Sequence, residues 1–378
     1  MPHQTDDVPI LPGLDELNGH LHELIQDPSL AIDPKLFDDV ELQLTDSNIP
    51  GLIPFLLPKL TQILKQYTGD PAVVVSLTIK LLRPISFTQA IQLASEESLI
   101  QALSSSAQAA QILGLTIIHK ATSSSRDISI LCAMPSLVQS LITTWLSSPN
   151  VEVGQKATKV LGDLLEIDCQ TPVPGPNPFI AAGETPAQWE PPIRRVPGHG
   201  GLWQLILHTS STYNLLLDLI SGRHPSTANN RSQLSLAQGR ILRLLPRLAA
   251  LNIDPLASSS ITGPMPAHLT NGHRDRAPQP GEGLLQYAAL RMVDKADPLM
   301  HRSLVDFFEA FVSLMRISGW TNSKEQIIKK VLREAVPNDD VLRGALESLP
   351  NRTVDQESEG LKRWLRAIMP RVTQVPLR

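Results

Sequence analysis

Apolar residues recur along this chain at three-to-four spacing in helix-length runs, and a proline-containing turn opens four of those runs. Asp70-Pro71 precedes a run to Leu82, Pro149-Asn150 one to Ile167, Asp297-Pro298 one to Ile317, and Pro337-Asn338 one to Leu349. That spacing places the apolar side chains on one face of an α-helix. Proline is tolerated in the first turn, where the backbone N–H has no intrahelical partner to lose. The pattern predicts helices over 14–25, 34–44, 51–67, 71–82, 87–101, 106–120 and 135–147, then over 151–167, 202–208, 213–221 and 232–251. A last group covers 284–293, 298–317, 323–336, 339–349 and 356–369. In the clearest of these, 151–167, the stripe to be buried is Val153, Ala157, Val160, Leu161, Leu164 and Leu165. Glu152, Lys156, Lys159, Asp163 and Glu166 form its polar face, and Gly162 beside the stripe allows a neighbour to approach closely. Pro54 and Pro58 predict a kink or restart within 51–67.

Turn-plus-helix units at a period of roughly 40 residues are the mark of stacked helix pairs. The predicted fold class is all-α, a HEAT/armadillo-like α-solenoid in which each unit buries its apolar face against its neighbours. Runs of alternating β-branched residues are lacking, which argues against a strand-rich domain. The pattern stops twice. Residues 170–201 hold eight prolines between Pro172 and Pro197, and residues 252–283 are rich in Ser, Pro and Gly. The chain therefore divides into N-terminal helical repeats (1–169), a Pro-rich loop (170–201), middle repeats (202–251), a low-complexity loop (252–283) and C-terminal repeats (284–378). The two loops are expected to be mobile, because they lack the apolar content to offset ordering entropy. The final helix, with Leu361, Trp364, Leu365 and Ile368 on one face and Lys362, Arg363 and Arg366 on the other, suits a capping role. A solenoid offers surface rather than an enclosed pocket, so the functional question becomes which partner it binds.

Composition agrees with helix-on-helix packing. Hydrophobic residues make up 42% of the 378, but aromatics only 4%, low for strand-rich folds. The net charge of −4 hides an asymmetry: residues 1–50 hold 11 acids and one base, Lys35. A solvated acidic face is the plain reading, and steering of a basic partner is the alternative. No basic run is dense enough to make nucleic acid the main ligand. The start lacks the apolar run of a signal peptide. The most apolar stretches, 72–82 and 128–142, are shorter than the roughly 20 residues a membrane span needs. Two cysteines, Cys132 and Cys169, do not make a disulfide scaffold. The two N-x-S/T triplets at Asn230 and Asn351 are then read as chance. The expectation is a cytoplasmic protein, also nuclear, without a membrane partner and monomeric when free.

No phosphate-binding glycine loop, nucleophile elbow or dinucleotide fingerprint is present. His20 and His22, two apart on a helix, point about 200° from each other and cannot chelate one ion from one face. Cys132 and His119 could be cast as nucleophile and base, but Cys132 sits in an apolar run where an inert buried thiol is the favoured reading. Phe307, Phe308 and Phe311 fit core better than a peptide groove. The expectation is a non-enzyme without catalytic residues, metal or cofactor. One feature exceeds this background: Arg240, Arg243 and Arg247 share a face of helix 232–251, opposite Leu234, Ile241, Leu245 and Leu248, with no acid in that helix. Two readings stand: bridges to a neighbouring repeat or a solvated face, and a docking ridge for carboxylates of a partner, where the guanidinium fork supplies geometry as well as charge.

The run Leu284-Leu285-Gln286-Tyr287-Ala288-Ala289-Leu290-Arg291-Met292-Val293-Asp294, then Asp297-Pro298-Leu299-Met300-His301 with its helix, and the helix start Gly200-Gly201-Leu202-Trp203 carry a resemblance. The chain resembles a fungal member of the base-assembly chaperones of the 26S proteasome, which carry a DNA mismatch-repair name in fungi. The resemblance implies a C-shaped helical array that clasps the C-terminal domain of one AAA+ ATPase subunit before the ring closes. It implies no contact residue, since no motif fixes the register. The two long loops depart from it. The alternative is another armadillo-like adaptor, such as a nucleotide-exchange factor for a heat-shock ATPase.

Overall fold

The computed structural model describes residues 11–170, 197–261 and 281–370. These residues are helical throughout, and the one piece of extended pairing among them is an isolated antiparallel bridge between Ser258 and Glu282. They form two compact units. One contains the described residues up to Ser123 together with Ser136–Thr144; the other contains Ser124–Pro135 and those from Trp145 onward.

The first unit holds α1 (Leu14–Gln26), α2 (Pro34–Gln43), α3 (Ile49–Gln66), α4 (Ala72–Leu81), α5 (Phe87–Leu93), α6 (Glu96–Ser104) and α7 (Gln108–His119). Helix α3 lies between α1 and α4, and α4 also packs on α2 and α7. The core is aliphatic: Leu17, Leu21, Leu56, Leu60, Val74 and Leu77 are fully buried, with Phe37 among them. Each such side chain contributes roughly 1.5–3 kcal/mol by leaving water. Helix α3 continues through Pro54 and Pro58 rather than restarting. Its buried Leu52, Leu56, Leu57, Leu60 and Ile63 hold it in place where the prolines remove backbone bonds. The expected single helix over 87–101 is instead two. Ser86 and Gln89 form a capping box on α5, and Ser95 then accepts the Ser98 amide (3.3 Å) to start α6. A serine followed by Glu96 and Glu97 is a helix start, and it outweighs the continuity of the apolar pattern.

The second unit holds α8 (Ser125–Cys132), the end of α9 (Pro135–Ser147), α10 (Val151–Asp168), α11 (Gly201–Leu207), α12 (Ser210–Ser221) and α13 (Pro225–Ala228). It continues with α14 (Arg231–Leu251), α15 (Asp254–Ala257), α16 (Leu284–Leu290), α17 (Pro298–Ile317), α18 (Asn322–Ala335), α19 (Asp340–Ser348) and α20 (Asp355–Ile368). Helix α14 is central to it, lying against α10, α12, α13, α16 and α17. The predicted stripes of α10 and α20 are buried as expected. Helix α8, absent from the sequence reading, is started by Ser124, whose hydroxyl accepts the Asp127 amide (3.1 Å). The four turn-opened runs all become helices. Asp70 accepts the Ala72 amide in the turn that opens α4, Asn150 caps α10, Asp297 caps α17 by accepting from Leu299 and Met300, and Asp339, one residue past Asn338, caps α19.

Most of the two predicted loops lies outside the described residues, and with it the expectation of mobility for 172–197 and 258–281. Their described ends are anchored. Gly198 and Gly200 donate to the carbonyls of Cys169 and Asp168, and Gly200 adopts φ 71°, where glycine is favoured. Within 252–261, Ile253 and Leu256 are buried.

Candidate functional site

The arginines singled out by sequence lie on α14, and the structure separates them. Helix α14 runs parallel to α10, and its contacts to that side recur every seven residues, about two helical turns. Gln233 Nε2 donates to the carbonyl of Leu146 (3.2 Å). Arg240 Nη1 donates to the carbonyl of Trp145 (2.7 Å) and Nη2 to that of Asn150 (3.2 Å). Arg247 Nη2 donates to Asp163 Oδ1 (2.7 Å) and Glu166 Oε2 (2.6 Å). Arg240 is only 8% exposed. Arg243, three residues on from Arg240, is the exposed member of the three.

Glycines on α10 make this fit possible. A Cβ at Gly154 would overlap the Arg240 guanidinium, and one at Gly162 would overlap Arg247 Nη1 and meet Leu244 Cδ1 at 3.1 Å. The Gly154 carbonyl accepts the Thr158 hydroxyl (2.7 Å), which accepts the Trp145 indole N–H (2.8 Å), so the Arg240 seat is fixed on both sides. Burial, and then the adjacent Arg243 cation, lower Arg240 from the ordinary arginine range. Burial also works against the charge of Arg247, but its hydrogen bonds to the Glu166 and Asp163 carboxylates outweigh it and hold its pKa above the usual value. Two of the three arginines therefore join α14 to α10, and one faces solvent. The expected stripe of α14 is also too narrow: Leu242, Leu244, Pro246 and Ala249 are buried beside Ile241, Leu245 and Leu248, because the helix has neighbours on several sides.

Other reactive groups are held in structural contacts. Cys132 lies against Gly201, and burial followed by the Asp168 carboxylate pushes its thiol up to about 11, the reverse of an activated nucleophile. Asp168 is 1% exposed and accepts the Leu202 amide (2.6 Å) at the start of α11; burial raises its pKa against the pull of the amides there. Asp339 is 5% exposed and receives Lys295 Nζ (2.7 Å) and His301 Nε2 (2.9 Å). Burial would raise its pKa, but Lys295, the Leu342 amide and His301 outweigh it and the net direction is down. His20 Nε2 accepts the Asp33 amide (3.1 Å). Phe307, Phe308 and Phe311 are core, with Phe307 and Phe311 stacked at 5.7 Å.

Sequence reasoning missed Gln233, Gly154 and Asp168. The seven-residue interval from Gln233 through Arg240 to Arg247 was present in the chain, but a glutamine at a helix start carries no separate signal. No protein-family model matches this chain, and no curated protein matches it.

Proposed function

We propose that this protein is a non-catalytic α-solenoid that binds an AAA+ ATPase subunit during assembly of the proteasome regulatory-particle base. The observation that carries the reading is the use made of its polar groups. Cys132, Asp168, His301, Asp339, Arg240 and Arg247 join or cap helices, and what is left to act is surface. The parallel run of α10 and α14, with α11 to α13 between them in sequence, supports stacked repeats, since like helices of successive repeats run in the same direction. The residues of the resemblance occupy packing and capping positions. Leu284, Leu285, Tyr287, Ala288 and Ala289 are buried in α16, Asp297 caps α17 and His301 reaches Asp339. They support a shared scaffold.

Arg243 is the exposed member of the arginine ridge, whereas Arg247 is part-exposed and already holds Asp163 and Glu166. Arg243 offers a planar fork to a carboxylate, and its reversal weakens capture without unfolding the helix. The test is affinity capture from lysate followed by protein identification. Base ATPase subunits in the eluate support the reading. A heat-shock ATPase in their place assigns the chain to the exchange-factor class instead, and neither class appearing rejects the proposal.

A further inference from the structure

We infer that the cleft at the C-terminal ends of α18 and α20 is a docking site for an acidic, apolar-anchored peptide segment of a partner protein. The inference does not depend on the identity of that partner. A cavity of about 570 Å³ opens there, and every charged residue lining it is a cation: Lys329, Arg333 and Arg366. Its floor is apolar, with Ile368 2% exposed beside Met369 and Pro370. A second cavity of about 620 Å³ shares Arg366, Met369 and Pro370, adds Arg343 and Lys362, and has Glu347 as its one acid.

The cations are available. Lys329, Arg343 and Lys362 pair with Glu325 (2.6 Å), Asp340 (3.0 Å) and Glu359 (2.7 Å), each on the cation's own helix three or four residues away. Asp340 and Glu359 are 92% and 72% exposed, so their pairs are weak and screened and an incoming carboxylate can replace them, although Arg343 also donates to the carbonyls of Val336 (3.4 Å) and Pro337 (3.0 Å) and the Lys329–Glu325 pair is part-buried. Arg333 and Arg366 make no close ion pair among the described residues, and the carboxylate that acts on Arg366 at longer range, Glu359, is the exposed partner of Lys362. The plain alternative is that they offset the negative ends of their helices. Two helix ends amount to about one negative charge in all, which is less than the two positive charges of Arg333 and Arg366. Nor does the following segment complement the cleft, since residues 371–378 contain two arginines and no acid. Arginine forks over an apolar floor suit carboxylates flanking one aliphatic side chain.

The test is fluorescence anisotropy with a labelled Glu-Asp-Leu-Glu-Asp peptide and its Gln-Asn-Leu-Gln-Asn counterpart, on the full chain. The acidic peptide should bind at least about tenfold more tightly than the amide peptide. Its affinity should also fall at least about tenfold between 50 and 300 mM salt. Arg333→Gln/Arg366→Gln, which removes both charges but leaves a polar, hydrogen-bonding side chain at each position, should abolish that preference, while Lys59→Gln/Lys65→Gln in the other unit should leave it intact. Circular dichroism of each variant checks the fold. Equal affinity for the two peptides, or a preference that survives the Arg333/Arg366 change, overturns the inference. So does salt-sensitive self-association lost in the same variant, since the occupant would then be a second copy. The peptide measurement uses no ATPase, so it can succeed or fail independently of the function proposed above.

Discussion

The two units solve the same packing problem in different ways. In the first, the buried polar residues among those described are Thr78 and Thr144, and helices meet through aliphatic side chains. Of those two threonines one makes a long-range contact, Thr144 Oγ1 donating to the carbonyl of Leu103 (3.1 Å); Ser76 reaches Glu41 (3.0 Å) at the surface, and Lys120 Nζ reaches the carbonyl of Ile85 (2.8 Å). The second unit buries Asp168, Gln233, Gln238, Arg240, Arg316, Lys324 and Asp339, among others. Gln238 Nε2 bridges the carbonyls of Ile220 and Met292 (3.0 Å each), and Arg316 meets Glu357 (3.0 Å). Aliphatic contact is non-directional and tolerates sliding, whereas a buried donor aimed at a particular carbonyl fixes register and is costly to leave unpaired. The first unit should thus respond to lost volume, and the second to lost hydrogen bonds and to pH.

The largest effect is expected at Arg240. Truncation to Ala leaves the Trp145 carbonyl without the Arg240 donor, leaves the Asn150 carbonyl with the Gly154 amide (3.1 Å), and empties the seat against Gly154. A loss of about 3–5 kcal/mol in urea unfolding follows from two lost charge-assisted hydrogen bonds, one orphaned acceptor at Trp145 and the lost stem packing. Leu60→Ala in the first unit should cost roughly 2–5 kcal/mol by leaving a cavity in an aliphatic core. Its cost should be flat between pH 6 and 10, since no ionisable group is among the buried residues of the cluster around it.

Lys324 sharpens the contrast. It is 4% exposed, and its Nζ donates to the Ser318 hydroxyl and to the carbonyl of Gly319 (2.9 Å), with no carboxylate partner in these contacts. Burial pulls its pKa down to about 8. Below pH 8 both the folded and unfolded chains carry the charge, so the full cost of burying it is present. Between pH 8 and 10.5 the folded chain is neutral there while the unfolded chain still binds a proton, so stability rises with pH. The gain should approach about 3 kcal/mol across that window, and Lys324→Met should remove the slope. Urea unfolding at pH 7, 8.5 and 10 reads it directly. The smallest effect belongs to the exposed pair Arg302–Asp306 (3.0 Å), where Arg302→Ala should change stability by less than about 1 kcal/mol.

Much of this fold was legible in the chain. The Asp70, Asn150 and Asp297 turns open helices, the 151–167 stripe is buried, and the last helix faces inward through Trp364. These features depend on local chemistry, which a sequence carries in one place. The break at Ser95 and the helix opened by Ser124 were not read from the sequence, because a cap decides them against the longer pattern, and of the kink or restart expected at Pro54 and Pro58 the restart does not occur. The arginine site was legible only as a helix face. Spacing places Arg240, Arg243 and Arg247 together, but only the partner helix, with Gly154 and Gly162 as seats and Asp163 and Glu166 as counter-charges, sends two of them inward. Those partners lie some eighty residues away along the chain.

Thermal melting of Arg240→Ala, Arg243→Ala and Arg247→Ala, measured side by side, tests most directly the claim that this ridge is two clamps and one accessible residue. Arg240→Ala should show the largest fall in Tm. Arg247→Ala should show a smaller one, because its pairs are part-exposed and screened, and Arg243→Ala should match the parent chain. A fall for Arg243→Ala equal to that of Arg240→Ala, or parent-like melting of Arg240→Ala and Arg247→Ala, would contradict it.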